Sequence, residues 1–168
     1  MRRWLSGINW LALLATGLMA AAMLSPWWTL AFKGNVPSDI YPYLIDGPAS
    51  EFIGYKRSTQ MTILTYALSV GIGLSLLGSV LRGRAGRLAL FVGALVSGYG
   101  TYRLVARISM VAERYGIPLQ GSAITYEEFA PTRVEGTIRP GIPLMAAGAV
   151  LCLLAAVLHN KARLRSPG

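Results

Sequence analysis

Four long apolar runs constrain what this chain can fold into more than any other feature of its sequence. They lie at residues 8–24, 61–81, 88–105 and 142–158. Each is close to the ~17–25 residues that a helix needs to cross ~30 Å of hydrocarbon. They contain no aspartate, glutamate or lysine, and they do not alternate apolar with polar residues as membrane β-strands do. The runs therefore predict transmembrane helices.

The predicted fold is an all-α integral membrane protein, in which a bundle of four transmembrane helices forms a single membrane domain, residues 1–168. A hydrophobic fraction of 54% agrees with this class, because about 45–50% is typical of soluble domains. The third helix is expected to continue as far as Tyr115, where Gly116 and Pro118 stop it. The predicted helices cover about 6–26, 60–82, 87–115 and 141–160, and the predicted outer loops cover about 27–59 and 116–140.

The basic residues are distributed unevenly along the chain. The N-terminus, the turn at 82–87 and the C-terminal tail hold eight basic residues and no acidic one, whereas the rest holds eight basic and seven acidic residues. By the positive-inside rule, both termini and this turn face the cytoplasm in a multi-pass protein of the plasma membrane. The net charge of +9 then suits anionic lipid headgroups, and we predict no nucleic-acid partner. The eight residues are Arg2, Arg3, Arg82, Arg84, Arg87, Lys161, Arg163 and Arg165.

The first run also has the composition of a secretory signal peptide. Arg2 and Arg3 precede an apolar stretch that contains the small residues Ala20, Ala21 and Ala22. We expect this segment to remain as the first helix. An even number of crossings then agrees with a C-terminal tail that is basic and hence inside.

The two long connections are predicted to fold into a small extracytoplasmic β-containing cap. Both exceed the usual length of an unstructured loop in a compact domain. Each contains short β-prone stretches between glycines and prolines, which favours an antiparallel sheet. The predicted strands are Thr29 to Phe32, Glu51 to Tyr55, Ile124 to Phe129 and Arg133 to Ile138.

Small residues recur every four positions along three of the four predicted helices. Such spacing places them on one helix face, where they allow a neighbouring helix to approach closely. The pattern predicts a tight bundle. The predicted helix-packing residues are Gly71, Ser75, Ser79, Gly93, Ser97 and Gly148.

Aromatic and basic residues near the ends of the runs predict contacts with the membrane interface. Trp4 precedes the first run, and Trp27 and Trp28 follow it. Arg103 lies about 24 Å along the third helix from Arg87 at 1.5 Å per residue, which places it near the outer headgroups. Arg107, one turn further on, extends the same basic face.

The sequence offers no pattern for redox, metal or hydrolytic chemistry. Cys152 is the single cysteine and His159 the single histidine, so an internal disulfide and a bis-histidine haem site are excluded within one chain. Glu127 and Glu128 are adjacent, so on a strand they point to opposite faces and do not form a cooperating acid and base. We predict no catalytic residue, no cofactor, no metal and no enzymatic activity.

Tyrosines in the long connections are the predicted partner contacts, namely Tyr41, Tyr43 and Tyr126. The leading functional prediction is a non-catalytic accessory subunit of a larger membrane complex, for example a respiratory-type assembly. Its partners are the lipid bilayer and other subunits or a second copy of itself. Two alternatives stay open: a cell-surface adhesion protein, and a small transporter or membrane enzyme. The runs contain no acidic residue, which transport sites near the membrane midplane commonly use.

Overall fold

The computed structural model of the protein describes residues 8–32, 36–54, 56–127 and 130–159. Most of these residues are helical, and a five-stranded antiparallel sheet accounts for much of the remainder. The predicted combination of helices with a small antiparallel sheet is therefore confirmed. The helices are α1 (Trp10–Leu24), α2 (Ala49–Ile53), α3 (Thr59–Val80), α4 (Gly83–Arg114) and α5 (Gly141–Val157). The strands are β1 (Trp28–Phe32), β2 (Ser38–Ile40), β3 (Ile45–Asp46), β4 (Gly121–Glu127) and β5 (Ala130–Ile138).

Two of the described helices, α3 and α4, are long and apolar enough to cross a membrane. They contain 22 and 32 residues, whereas the apolar helices α1 and α5 contain 15 and 17. Helix α4 ends at Arg114 because Gly116 adopts a left-handed conformation with φ 63°. This turn lets the N–H of Ile117 donate to the carbonyl of Ala112 at 2.8 Å. The predicted number of four spans stays a prediction.

The predicted strand at Glu51–Tyr55 is wrong, because residues 49–53 form the short helix α2. Proline at position 48 suits the start of a helix, where its missing N–H would have no partner in any case. Gly54, with φ 83°, ends the helix in the left-handed conformation. The N–H of Ala49 donates to the Ser38 hydroxyl at 2.9 Å, which attaches α2 to β2. Tyr55 lies outside the described residues.

The described residues form two compact units, each discontinuous in sequence. The helical unit comprises residues 8–21, 66–101 and 144–159. The sheet unit comprises the described residues of 22–65 and 102–143, including the first two turns of α3 and the last three turns of α4. All aspartates and glutamates of the chain fall within the segments 22–65 and 102–143.

Helices α3 and α4 approach each other closely within the helical unit. A Cβ added to Gly93 would lie 2.8 Å from the carbonyl oxygen of Gly71, and one added to Gly71 would lie 3.1 Å from the carbonyl oxygen of Gly93. The Ser75 hydroxyl donates to the Gly71 carbonyl at 2.9 Å and lies 3.1 Å from the Cys152 sulfur. A Cβ on Gly148 of α5 would meet the Ala15 carbonyl oxygen of α1 at 3.0 Å. Glycines and serines thus set the helix spacing in this unit.

A buried polar cluster joins the ends of three helices, α1, α3 and α5, in the helical unit. Asn9 accepts from the Ala12 N–H with its side-chain oxygen at 3.1 Å and so caps α1. Its amide nitrogen donates to the Ala155 carbonyl at 3.2 Å and lies 3.4 Å from Nδ1 of His159. Its backbone N–H donates to the Ser79 carbonyl at 2.9 Å. Because these groups satisfy one another, the cluster fixes the helix ends without exposing polar atoms to an apolar surface.

The five strands have the order β3-β2-β1-β5-β4, and every neighbouring pair is antiparallel. Strand β1 of the first connection pairs with β5 of the second, with Trp28 opposite Ile138 and Phe32 opposite Val134. The two connections therefore build one sheet. Strands β2 and β3, at Ser38–Ile40 and Ile45–Asp46, are not among the predicted strands.

Side chains of β5 alternate between a buried and an exposed face of this sheet, as the strand period of two requires, with Val134 buried between the exposed Arg133 and Glu135. Trp28, Leu30, Ile40 and Val134 are buried on one face. The indole N–H of Trp28 donates to the carbonyl of Leu119 at 2.9 Å, which ties the segment before β4 to the sheet. These contacts make Trp28 a central residue of the core of the sheet unit.

Candidate functional site

Strand β4 is an edge strand, with no further strand beside it among the described residues, and Pro131 shows which of its backbone groups face outward. Tyr126 is opposite Pro131, Ile124 is opposite Arg133, and Ser122 is opposite Glu135. Proline has no N–H to donate, so Tyr126 and Pro131 form a non-hydrogen-bonded pair. Because pair types alternate along an antiparallel ladder, the backbone N–H and C=O groups of Ser122, Ile124 and Tyr126 point away from β5.

Unpaired edge groups of this kind can add a strand from another chain. The exposed face beside this edge combines one large apolar side chain with a polar network. Ile124 is 61% exposed, although it lies in the middle of the strand. Arg133 forms a salt bridge with Glu135 at 3.1 Å, and its guanidinium also donates to the Ser122 hydroxyl at 3.3 Å. These contacts link Arg133 and Glu135 of β5 to Ser122 of β4, next to Ile124. We call the free edge of β4 with these four side chains the β4 edge.

The β2–β3 turn carries two of the predicted partner residues. The rings of Tyr41 and Tyr43 are 5.5 Å apart and tilted by 34°. The N–H of Tyr41 donates to the carbonyl of Leu44 at 2.9 Å, and the Pro42 carbonyl accepts from the Thr65 hydroxyl at 3.0 Å. Partial burial, together with the nearby Asp39 carboxylate, raises the pKa of Tyr41 above its ordinary value. Both aromatic residues therefore lie in an ordered turn.

The structure does not bring the three predicted partner tyrosines together. Tyr41 and Tyr43 lie at the β3 side of the sheet, whereas Tyr126 belongs to β4 at the opposite edge. The side chain of Tyr126 lies outside the described part of the structure. Their role in partner contact stays a prediction, and the two ends of the sheet need separate tests.

The predicted interface residues occupy different environments. Trp27 and Trp28 are buried, and the Trp27 indole N–H donates to the carbonyl of Ala22 at 2.9 Å. Arg103 is exposed, whereas Arg107 is partly buried and donates to the side-chain oxygen of Gln60. The structure thus gives both tryptophans a packing role in the sheet unit, and contact with a membrane interface stays a prediction for all of these residues. Trp4 lies outside the described residues.

The predicted helix-packing residues all lie in the helical unit and are buried. Ser97 is buried, and its hydroxyl oxygen has no hydrogen-bond partner among the described residues. It faces the α-carbon of Gly71, where any side chain would collide with it. Spacing along the sequence identified these positions, whereas no sequence pattern indicated that Asn9 and His159 are buried. The six packing residues are Gly71, Ser75, Ser79, Gly93, Ser97 and Gly148.

A small cavity lies beneath the buried face of the sheet. Its volume is about 50 Å³, below the ~300–1,000 Å³ of most ligand pockets. Trp28 and Ile45 line it from the sheet, Met61 from α3, and Leu104 and Arg107 from α4. A space of this size is a packing gap in the core. Among the described residues there is also no group of three or more histidine, cysteine, aspartate or glutamate side chains that could hold a metal ion.

The surface of the helical unit is unusually apolar. Large aliphatic side chains are about half or more exposed on all four of its helices, and the most apolar stretches of α3 and α4 are only 28% and 39% buried. Water-soluble monomers rarely expose contiguous apolar patches larger than a few hundred Å². These side chains include Leu14, Val70, Leu77, Leu88, Leu95, Val150 and Val157.

Comparison with known proteins adds no functional assignment to this geometry. No protein-family model matches the chain, and no curated protein matches its sequence.

Proposed function

We propose that this chain is a non-catalytic accessory subunit that crosses the plasma membrane four times and binds a partner protein through the β4 edge. The observation that carries the proposal is the free edge of β4, where the highly exposed Ile124 lies beside outward-facing backbone groups. Edge strands of stable monomers are usually shortened, covered or protected by charge. A seven-residue edge with an exposed isoleucine at its centre fits an added strand from a partner.

The apolar surface of the helical unit supports the membrane part of the proposal. A core helix of a soluble protein is mostly buried, whereas the most apolar stretches of α3 and α4 are only 28% and 39% buried. An exposed apolar surface of this kind is compatible with the hydrocarbon chains of a membrane. Helices α1 and α5 also contain no charged residue, which suits two further crossings.

Charge sets the proposed orientation. The segments 1–21, 66–101 and 144–168 carry eight basic residues and no acidic one, and Arg82, Arg84 and Arg87 lie between α3 and the second turn of α4. We place this turn and both termini in the cytoplasm and the two long connections outside.

A topology assay tests this orientation. A reporter fused after Gly168 and one inserted at Arg84 are expected to report the cytoplasm, and one inserted at Gly121 the outside. An external signal at Gly168 contradicts four crossings. Equal signals at Arg84 and Gly121 contradict a crossing by α4.

Partner capture tests the binding surface. We expect Ile124→Asp to lower recovery of the co-purifying partner by about 30-fold, because loss of an interface hot spot costs ~2 kcal/mol or more. The measurement is affinity purification in mild detergent with quantification of the bound protein. Val36→Asp is the matched control, since Val36 is 70% exposed in the same unit but lies outside the strands.

The outcomes separate the functional alternatives. Full partner recovery with Ile124→Asp, at unchanged thermal stability, contradicts binding through the β4 edge. Recovery of the chain alone or only with copies of itself contradicts the accessory-subunit function and favours the adhesion alternative. Tyr41→Ser with Tyr43→Ser tests the predicted partner contact at the other edge of the sheet, and a loss of recovery there would add the β2–β3 turn to the binding surface.

A further inference from the structure

An open groove lies on the helical unit beside the first two turns of α4 and the last turn of α5. Its volume is about 440 Å³, which is within the usual range of ligand sites. The groove is amphipathic, because two arginines lie at the start of α4 and apolar residues make up the remaining wall. Its lining residues are Arg84, Arg87, Leu88, Phe91, Ala156 and Val157.

The two arginines form no salt bridge with the described residues of this unit. Both are exposed, and among the described residues no salt bridge reaches either one. No side chain of the same unit can form such a salt bridge, because residues 1–21, 66–101 and 144–168 contain no aspartate or glutamate. Two guanidinium groups, one turn apart along α4, can hold one phosphate by paired hydrogen bonds. An anion from outside the unit can therefore pair with both arginines without competing with an acidic side chain of this unit.

The apolar wall determines which anion fits. Leu88 is 63% exposed, Phe91 48% and Val157 69%, so the groove continues from the arginines onto an apolar surface. A free phosphate would leave this surface uncovered, whereas an acyl chain would cover it. A molecule with a phosphate at one end and a hydrocarbon chain at the other matches both parts.

We propose that this groove binds an anionic phospholipid, with its phosphate held by Arg84 and Arg87 and an acyl chain packed along Leu88, Phe91 and Val157. The inference rests on the proposed topology, which places the arginines at the cytoplasmic headgroups. The first turn of α4 adds backbone N–H groups that lack helical partners and favour a nearby anion.

Lipid binding to the purified full-length chain tests the proposal. The protein is delipidated in neutral detergent and titrated with dioleoyl phosphatidylglycerol, dioleoyl phosphatidylcholine or glycerol 3-phosphate. Bound adducts are counted by native mass spectrometry, and the melting temperature is followed in parallel. We expect phosphatidylglycerol to bind and to raise the melting temperature, with phosphatidylcholine and glycerol 3-phosphate much weaker.

Paired charge variants locate the site. Arg84→Gln with Arg87→Gln is expected to weaken phosphatidylglycerol binding by roughly 30-fold, because each basic residue near an anionic surface contributes about a fivefold factor. Arg114→Gln with Arg139→Gln removes the same charge from exposed positions of the sheet unit and is expected to leave binding unchanged.

Three results would overturn the inference: equal loss in both double variants, equal affinity for phosphatidylcholine, or equal binding of glycerol 3-phosphate. Equal loss in both double variants would indicate an effect of net charge alone. Equal affinity for phosphatidylcholine would indicate an unspecific apolar surface, and equal binding of glycerol 3-phosphate would indicate a simple anion site. None of these results bears on the reporter signals at Gly168 and Gly121, so a failed lipid site and a failed topology are distinguishable.

Discussion

Replacing Gly71 with leucine is expected to lower the melting temperature of the protein by roughly 10 °C, which corresponds to about 3 kcal/mol for a chain of this size. A Cβ at this position would already lie 3.1 Å from the Gly93 carbonyl oxygen and 3.2 Å from the Ser97 backbone nitrogen. Both are backbone atoms of α4 and cannot rotate away. The remaining leucine carbons can be placed only if α3 and α4 separate, which also loosens the contacts of Ser75.

Gly73→Leu is the matched control for this experiment. Gly73 lies on the same helix, and a Cβ there would meet no atom within 4 Å. Both variants gain the same side chain and the same helix propensity, so their difference isolates the close approach of the helices. Thermal unfolding in detergent gives the comparison. Equal melting temperatures for the two variants would show that the spacing of α3 and α4 does not limit stability. Ser75→Leu is expected to resemble Gly71→Leu.

Trp28→Ala is expected to destabilise the sheet unit by about 4 kcal/mol. The side chain is 1% exposed, so its removal leaves a large void beneath the sheet beside the existing gap of about 50 Å³. The carbonyl of Leu119 would also lose its indole donor. Limited proteolysis of the two connections, together with thermal unfolding, measures the effect.

Trp10→Ala provides the control with the same change in side chain. Trp10 is 42% exposed, and we expect its loss to cost less than about 1 kcal/mol. If both variants unfold and are cleaved alike, Trp28 does not hold the sheet together. In that case an interfacial role, as the sequence predicts, would describe Trp28 better than a core role.

The sequence predicted the class of fold because apolar runs and β-prone stretches are local signals. Strands β1, β4 and β5 contain the predicted segments, apart from Glu128 and Phe129, which lie outside the described residues. The strand order was not predictable, since it depends on the pairing of β1 with a strand about 100 residues away. Helix α2 was not predicted, although Pro48 and Gly54 mark its two ends. The residues at 51–55 are β-prone, and they indicated a strand instead.

The candidate site was harder to predict than the fold. All three predicted partner residues are tyrosines, but nothing in the sequence indicated that Tyr41 and Tyr43 lie at one edge of a sheet and Tyr126 at the other. Ile124 was recognised only as part of a strand, because its exposure depends on which face of the sheet it occupies and on β4 being an edge strand. Trp28 precedes Leu30 by two positions, and this strand spacing could have indicated a shared buried face.

The pairing of β1 with β5 also determines when the sheet can be completed during synthesis. Trp28 is opposite Ile138, 110 positions later, so β1 emerges from the ribosome roughly 5–20 s before its central partner. During this interval β1 can pair only with β2 and exposes a strand edge that other chains can bind. Expression at high rate is therefore expected to favour misassembly through the first connection. A chaperone or an early partner that covers β1 would have to leave before β5 arrives.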